Sequence, residues 1–123
     1  FPLDQVALTA SVVARSLPPE RYEPFVAALL ASQDRWAFAR GVNSTEELWK
    51  MAALAGLSRD AFNAAIADTA LKDAILKAQD DAQKNYQVDS TPTFIFNGPH
   101  AKNLKEAGDR PYADFAALVA KAA

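Results

Sequence analysis

A chain of 123 residues, half of them hydrophobic, is long enough to bury one sizeable core and too apolar to remain disordered. Thirteen basic and fifteen acidic side chains are interspersed to a formal net charge of −2, which gives no electrostatic footprint for nucleic acid or an anionic membrane surface. The absence of cysteine excludes a disulfide framework, a thiolate metal site and any thiol redox chemistry carried by this chain alone, and no apolar run approaches the roughly 20 residues that span a bilayer. Phe1-Pro2-Leu3 follows neither an initiator methionine nor a basic-plus-apolar leader, so the chain is expected to be processed or cut from something longer.

Leu3, Val6, Ala7, Ala10, Val13, Ala14 and Leu17 recur at three and four residues, which predicts a helix from Asp4 to Leu17 ended by Pro18-Pro19. Tyr22, Phe25, Val26, Leu29, Leu30, Gln33, Trp36 and Ala37 repeat the pattern in a second helix, with Pro24 expected in its first turn, where proline is tolerated. Ser44 and Glu47 have capping-box spacing ahead of a third helix striped by Leu48, Met51, Ala52 and Ala55 and stopped at Gly56. Ser58 caps a fourth with Phe62, Ala65 and Ile66 on its face. Asp68 or Thr69 starts a longer fifth carrying Leu71, Ile75, Ala78, Ala82 and Tyr86.

The period changes only after Val88. Phe94 and Phe96 face one way and Thr93 and Ile95 the other, before Asn97-Gly98, a hairpin dipeptide. A returning strand is expected near Ala101 to Leu104, then a last helix opened by Pro111 and striped by Tyr112, Phe115, Leu118, Val119 and Ala122. The residue pattern is thus mostly α with a small β element. A short strand is not stable alone and its returning partner is poor. Its other side is therefore expected to be filled by a segment outside this chain or by a second copy.

Pro92, between two threonines at the mouth of that strand, marks deliberate shaping. Proline cannot donate to a ladder, fits only a strand's start or edge, and allows the Thr91-Pro92 bond to be either trans or cis.

Four stretches in this order resemble the DsbA-like branch of the thioredoxin superfamily, bacterial thiol:disulfide oxidoreductases. They are FPLDQVALTASVVAR at 1–15, PPERYEPFVAALLASQDRWA at 18–37, LWKMAALAGLSRDAF at 48–62 and VDSTPTFIFNG at 88–98. The last is the most specific, and the closing PYADFAALVAKA also fits. The resemblance implies an incomplete DsbA-like thioredoxin fold: a helical insertion domain over 1–87, then a thioredoxin-fold portion over 88–123 with the cis-proline loop, a β-hairpin and the last helix. It further implies that Thr91 and Pro92 form the substrate-binding and redox-tuning loop, because a cis bond turns the preceding backbone outward to pair with an extended substrate polypeptide.

In that family two strands and the helix carrying Cys-x-x-Cys precede the FPLD motif, so the reactive thiols would lie outside this chain. The implied parent catalyses thiol-disulfide exchange in the periplasm, while this chain, a fragment on this reading, is redox-inactive and needs no cofactor. A second cysteine pair common in the inserted domain would align with Ser16 and Ala65, so no structural disulfide carries over. Two other readings are a cysteine-free peptide-binding or chaperone-like module, and a glutathione-dependent relative resembling the kappa-class transferases and their isomerase kin.

Other candidates read as structure. His100, the only histidine, has no ligand-spaced companions and is expected in a solvated loop. Tyr22, Phe25, Trp36 and Trp49 have helical spacing typical of core rather than of a peptide groove. The run LKDAILKAQDDAQK at 71–84 has the look of an exposed helix, and the neighbouring carboxylates Glu46-Glu47 and Asp80-Asp81 diverge by about 100° each, too far to converge on one ion.

Overall fold

The computed structural model describes residues 1–123. Helices α1 (Gln5–Arg15), α2 (Pro19–Ala31), α3 (Gln33–Trp36), α4 (Ser44–Leu54), α5 (Arg59–Ala67) and α6 (Thr69–Tyr86) precede strands β1 (Thr93–Gly98) and β2 (Ala101–Ala107), and helix α7 (Tyr112–Ala122) closes the chain. Two compact units divide at Lys77 and Ala78, inside α6. After Tyr86 the helix gives way to extended chain. The last turns of α6 lead into Gln87, whose carbonyl accepts from Lys105 Nζ of β2 (2.9 Å), so residues 78–87 belong with the second unit.

In the first unit, Asp4 caps α1 by accepting from the Ala7 N–H, and the predicted stripe from Ala10 onward becomes core, while Leu3 is exposed and Val6 and Ala7 are half-buried. Ala10, Val13, Ala14 and Leu17 meet Phe25 and Leu29 of α2, Trp36 of α3, Leu48 and Ala52 of α4 and Phe62 of α5. Val12, Val13, Leu48 and Phe62 are fully buried. A satellite cluster of Leu8, Val12 and Ala65 takes Leu71 and Ile75 against it, while no residue of α6 is itself fully buried.

Several boundaries differ from expectation. The second helix breaks at Ser32, whose hydroxyl donates back to the Ala28 carbonyl (2.7 Å) and whose backbone leaves the helical region; back-bonding of this kind bends helices. The break turns Trp36 inward, where its indole N–H donates to the Leu29 carbonyl (2.9 Å). Pro24 lies inside α2 rather than in its first turn, because the helix starts earlier, at Pro19. Its missing N–H falls on the exposed side, where water can satisfy the carbonyl one turn back.

The cap of α4 is Asn43, not Ser44. Asn43 Oδ1 accepts from the Glu46 N–H (3.2 Å), which shifts the cap one residue earlier. Gly56 ends α4 at φ +90°, with Gly56 N–H on the Ala53 carbonyl (2.9 Å) and Leu57 N–H on that of Ala52 (3.0 Å), a Schellman pair. Ser58 caps α5 by accepting from the Ala61 N–H (3.1 Å).

In the second unit β1 and β2 form a two-stranded antiparallel sheet. Thr93 faces Ala107, Ile95 faces Lys105, Phe96 faces Leu104 and Gly98 faces Ala101. The turn is therefore Pro99-His100, and Asn97-Gly98 lie in the strand. Pro99 fixes a negative φ, which excludes the primed hairpin turns, and the strand twist is recovered by a bulge instead. Asn103 adopts φ +54° there, and its N–H is held by Asn97 Oδ1 (2.7 Å). The returning strand runs to Ala107, three residues beyond the expected Leu104.

α7 packs on one face of the hairpin. Phe115 meets Phe94 edge-on with ring centroids 4.6 Å apart and Phe96 at 6.3 Å. Tyr112 and Val119, expected on the buried stripe, are exposed: a two-stranded sheet is too narrow to cover the whole width of the helix. At the far end of α7 the Ala122 carbonyl accepts from the His100 N–H (3.1 Å), and Gly98 lies so close that a Cβ there would strike that carbonyl.

Candidate functional site

The segment Gln87 to Ile95 is built by two anchors with an exposed loop between them. At its start Gln87 ends α6 in the left-handed region (φ +54°), pinned by Lys105, and Val88 is buried. At its end the Pro92 carbonyl accepts from the Gly108 N–H (2.8 Å) and joins the loop to β2. Asp89, Ser90, Thr91 and Pro92 are exposed, and the Thr93 hydroxyl donates to the Ser90 carbonyl (2.7 Å), closing the bend. The Thr91–Pro92 peptide bond is cis.

That Gly108 bond also sets the phase of the ladder. Antiparallel pairs alternate between residues that exchange hydrogen bonds and residues that do not. Pro92, Phe94 and Phe96 therefore turn their backbone groups toward β2, while Thr93 and Ile95 turn theirs to the open side. β1 pairs with β2 alone, so these N–H and C=O groups have no strand beside them within the chain. An extended polypeptide laid along Thr91 to Ile95 would find backbone donors and acceptors already in position.

The remaining sequence candidates each have a structural setting of their own. Phe25 and Trp36 are buried in the helical core, Trp49 packs at 5.5 Å from Phe62, and Tyr22 is exposed on α2. His100 sits exposed in the hairpin turn, engaged through its backbone. The acidic neighbours are tied to cations: Arg59 grips Glu46 at 2.6 and 3.1 Å, Lys50 meets Glu47, Lys84 meets Asp80 at 2.6 Å, and Arg110 meets Glu106 at 2.6 Å. The hydrogen bond from Arg59 holds the Glu46 carboxyl below its ordinary range. Arg59, raised by the same bond, also lies 5.0 Å from the Trp49 ring centroid. Ser16 ends α1 with its hydroxyl on the Val12 carbonyl (2.8 Å), and Ala65 is buried against Leu8 and Val12, so both positions serve packing and capping in the helical unit.

Sequence reasoning missed Gln87, Lys105 and Gly108 as the groups that hold the loop. The glycine after β2 was the one available signal, since a left-handed residue (φ +89°) is needed where the chain leaves the strand.

A family model described as thioredoxin matches residues 1–118. Among solved structures, the crystal structure of Wolbachia pipientis alpha-DsbA1 is similar, with a TM-score of 0.84 and 27% sequence identity over 99% of this chain. This chain spans 64% of the length of that one. No curated protein matches.

Proposed function

The chain belongs to the thioredoxin family, with a DsbA-like fold and no cysteine, and from that premise we propose that it supplies the peptide-holding part of a thiol:disulfide exchange site whose thiols come from another segment. The observation that carries the reading is the exposed Thr91–Pro92 loop running into a strand whose open edge presents the backbone of Thr93 and Ile95. A substrate polypeptide would lie extended against the Thr91–Pro92 loop and gain main-chain hydrogen bonds there, the strand edge beyond it being left to the other segment, while a thiolate from that segment attacks the substrate disulfide, forming a mixed disulfide and releasing the second substrate sulfur as a thiolate. Thr91, next to the proline, is the position from which such a loop would tune a neighbouring thiolate. The parent would work in the periplasm, where disulfides persist.

Residues 1–123 alone supply no thiolate, and hence no oxidoreductase activity. Insulin reduction with a thiol donor tests this: the chain should not accelerate turbidity over donor alone, and any turnover above that background overturns the inactive assignment. The coding sequence upstream of Phe1 tests the parent's role. A Cys-x-x-Cys within roughly 40 residues, the span of one strand-helix-strand unit, is expected.

A second reading, a cysteine-free module that holds extended polypeptides without redox chemistry, rests on the same open edge. Titration of the labelled chain with an extended peptide, read by amide shifts at Thr91 to Ile95, combined with an upstream sequence lacking the cysteine pair, would favour it.

A further inference from the structure

The bend from Ser90 to Thr93 is closed by a side chain and not by the backbone. In the common four-residue turn the N–H of the fourth residue donates to the carbonyl of the first. Here the Thr93 hydroxyl makes that contact, donating to the Ser90 carbonyl at 2.7 Å, while the Thr93 N–H takes no part in it. On the other side of Thr91 the Pro92 carbonyl is held by the Gly108 N–H at 2.8 Å. Across residues 90–92, then, the Ser90 and Pro92 carbonyls are engaged, Pro92 has no N–H, and Thr91 alone keeps both a donor and an acceptor without a partner. All three residues are exposed.

We propose that Thr93 is the positioning residue of the peptide-holding loop: its hydroxyl, by occupying the Ser90 carbonyl, aims the Thr91 N–H and C=O at the polypeptide and limits the loop to one pairing register. This rests on the reading that the Thr91–Pro92 loop holds the substrate, and adds the group that decides where on the loop it pairs. Residues that exchange both hydrogen bonds across an antiparallel pair each need a donor and an acceptor. In the closed bend only Thr91 offers both. Without the hydroxyl, Ser90 would offer the same pair one residue away, and a slip of one residue turns every substrate side chain to the opposite face.

The other anchors cannot do this. Lys105 at Gln87 and Gly108 at Pro92 fix the two ends of the loop, and the bond from Thr93 is the one that spans Thr91. It orders the bend before the polypeptide arrives, so less ordering remains to oppose binding. Because a side chain supplies the bond, the Thr93 N–H stays with the strand edge that the other segment takes.

The protein expressed from its whole coding sequence, isotope-labelled and titrated with carboxymethylated insulin B chain, tests this without a thiol step, because every cysteine of the probe is blocked. In the wild-type protein the Thr91 amide should shift on binding and the Ser90 carbonyl carbon should stay in place. Thr93→Val keeps the branched shape that strands favour and removes the donor. It should bind about five- to tenfold more weakly, the fold-change of one net hydrogen bond, and its Ser90 carbonyl should now move on binding, while Thr93→Ser should restore both readouts to within about twofold. A loss of fold alone would weaken binding without moving the Ser90 signal. Thr93→Val binding like the wild type, or Thr93→Ser failing to restore, overturns the assignment of Thr93 and leaves the peptide-holding reading standing. No shift at Thr91 in the wild-type protein overturns that reading, and this inference with it. If Thr93→Val does not fold by circular dichroism, Thr93→Ser and Thr93→Ala decide in the same titration: the first at wild-type affinity and the second about fivefold weaker is the expected result, and equal affinities overturn the proposal.

Discussion

At the scale of single residues, the chain places small or strained groups where two elements approach closely. Gly98 is required because any side chain would meet the Ala122 carbonyl at the end of α7. Gly98→Ala should cost about 1–3 kcal/mol, the usual penalty for overpacking against backbone, seen in urea unfolding and in lost protection of the His100 amide. A glycine beside asparagine reads from sequence as a turn, and only the packing of α7 shows that it is a point of contact. Glu46 gives a second prediction. The hydrogen bond from Arg59 depresses its pKa, so the pair's contribution is complete above the ordinary glutamate value and fades as pH falls through the depressed one. Carbon-detected titration should place Glu46 below the ordinary glutamate value, and Arg59→Met should bring it back up to that value.

Elements were legible where a local rule decides them. The stripes of α1, α4 and α5, the Ser58 cap and the Gly56 stop follow from side-chain periodicity and from glycine's access to positive φ, both of which act within one turn. The start of α4 shows the limit: Asn43 and Ser44 are both good caps with an acidic residue three positions on, so sequence cannot rank them. The structure selects Asn43, and Asn43→Ala should lower stability by about 1 kcal/mol, whereas Ser44→Ala, already inside the helix, should change it by less than about half that in thermal unfolding. The Ser32 break and the Pro99-His100 turn were not legible, because the first depends on where Trp36 finds room and the second on where Gly98 meets α7.

At the scale of the whole molecule, Phe62 is the largest fully buried side chain, in a core cluster shared by α1, α2, α3, α4 and α5. Phe62→Ala should cost about 3–5 kcal/mol in denaturant unfolding, since it removes a fully buried ring and leaves a cavity under Trp49. The hairpin has a different weakness: its outer edge exposes paired-strand chemistry without a strand. In residues 1–123 the Thr93 and Ile95 amides should exchange faster than those of Phe94 and Phe96, which face β2, as hydrogen exchange measures directly.

By itself the sequence determined the class of each element, most of the helical core though not Leu8 and Val12, the absence of cysteine, and Thr91-Pro92 at the mouth of a strand. These follow from periodicity, composition and the stereochemistry of proline, all of which are local. Tertiary structure alone decided that Gln87, Lys105 and Gly108 hold the loop, which of two caps is used, and which backbone groups of β1 face outward. Those outcomes depend on residues far apart in the chain meeting in space, and on a ladder phase set by one hydrogen bond between Gly108 and Pro92.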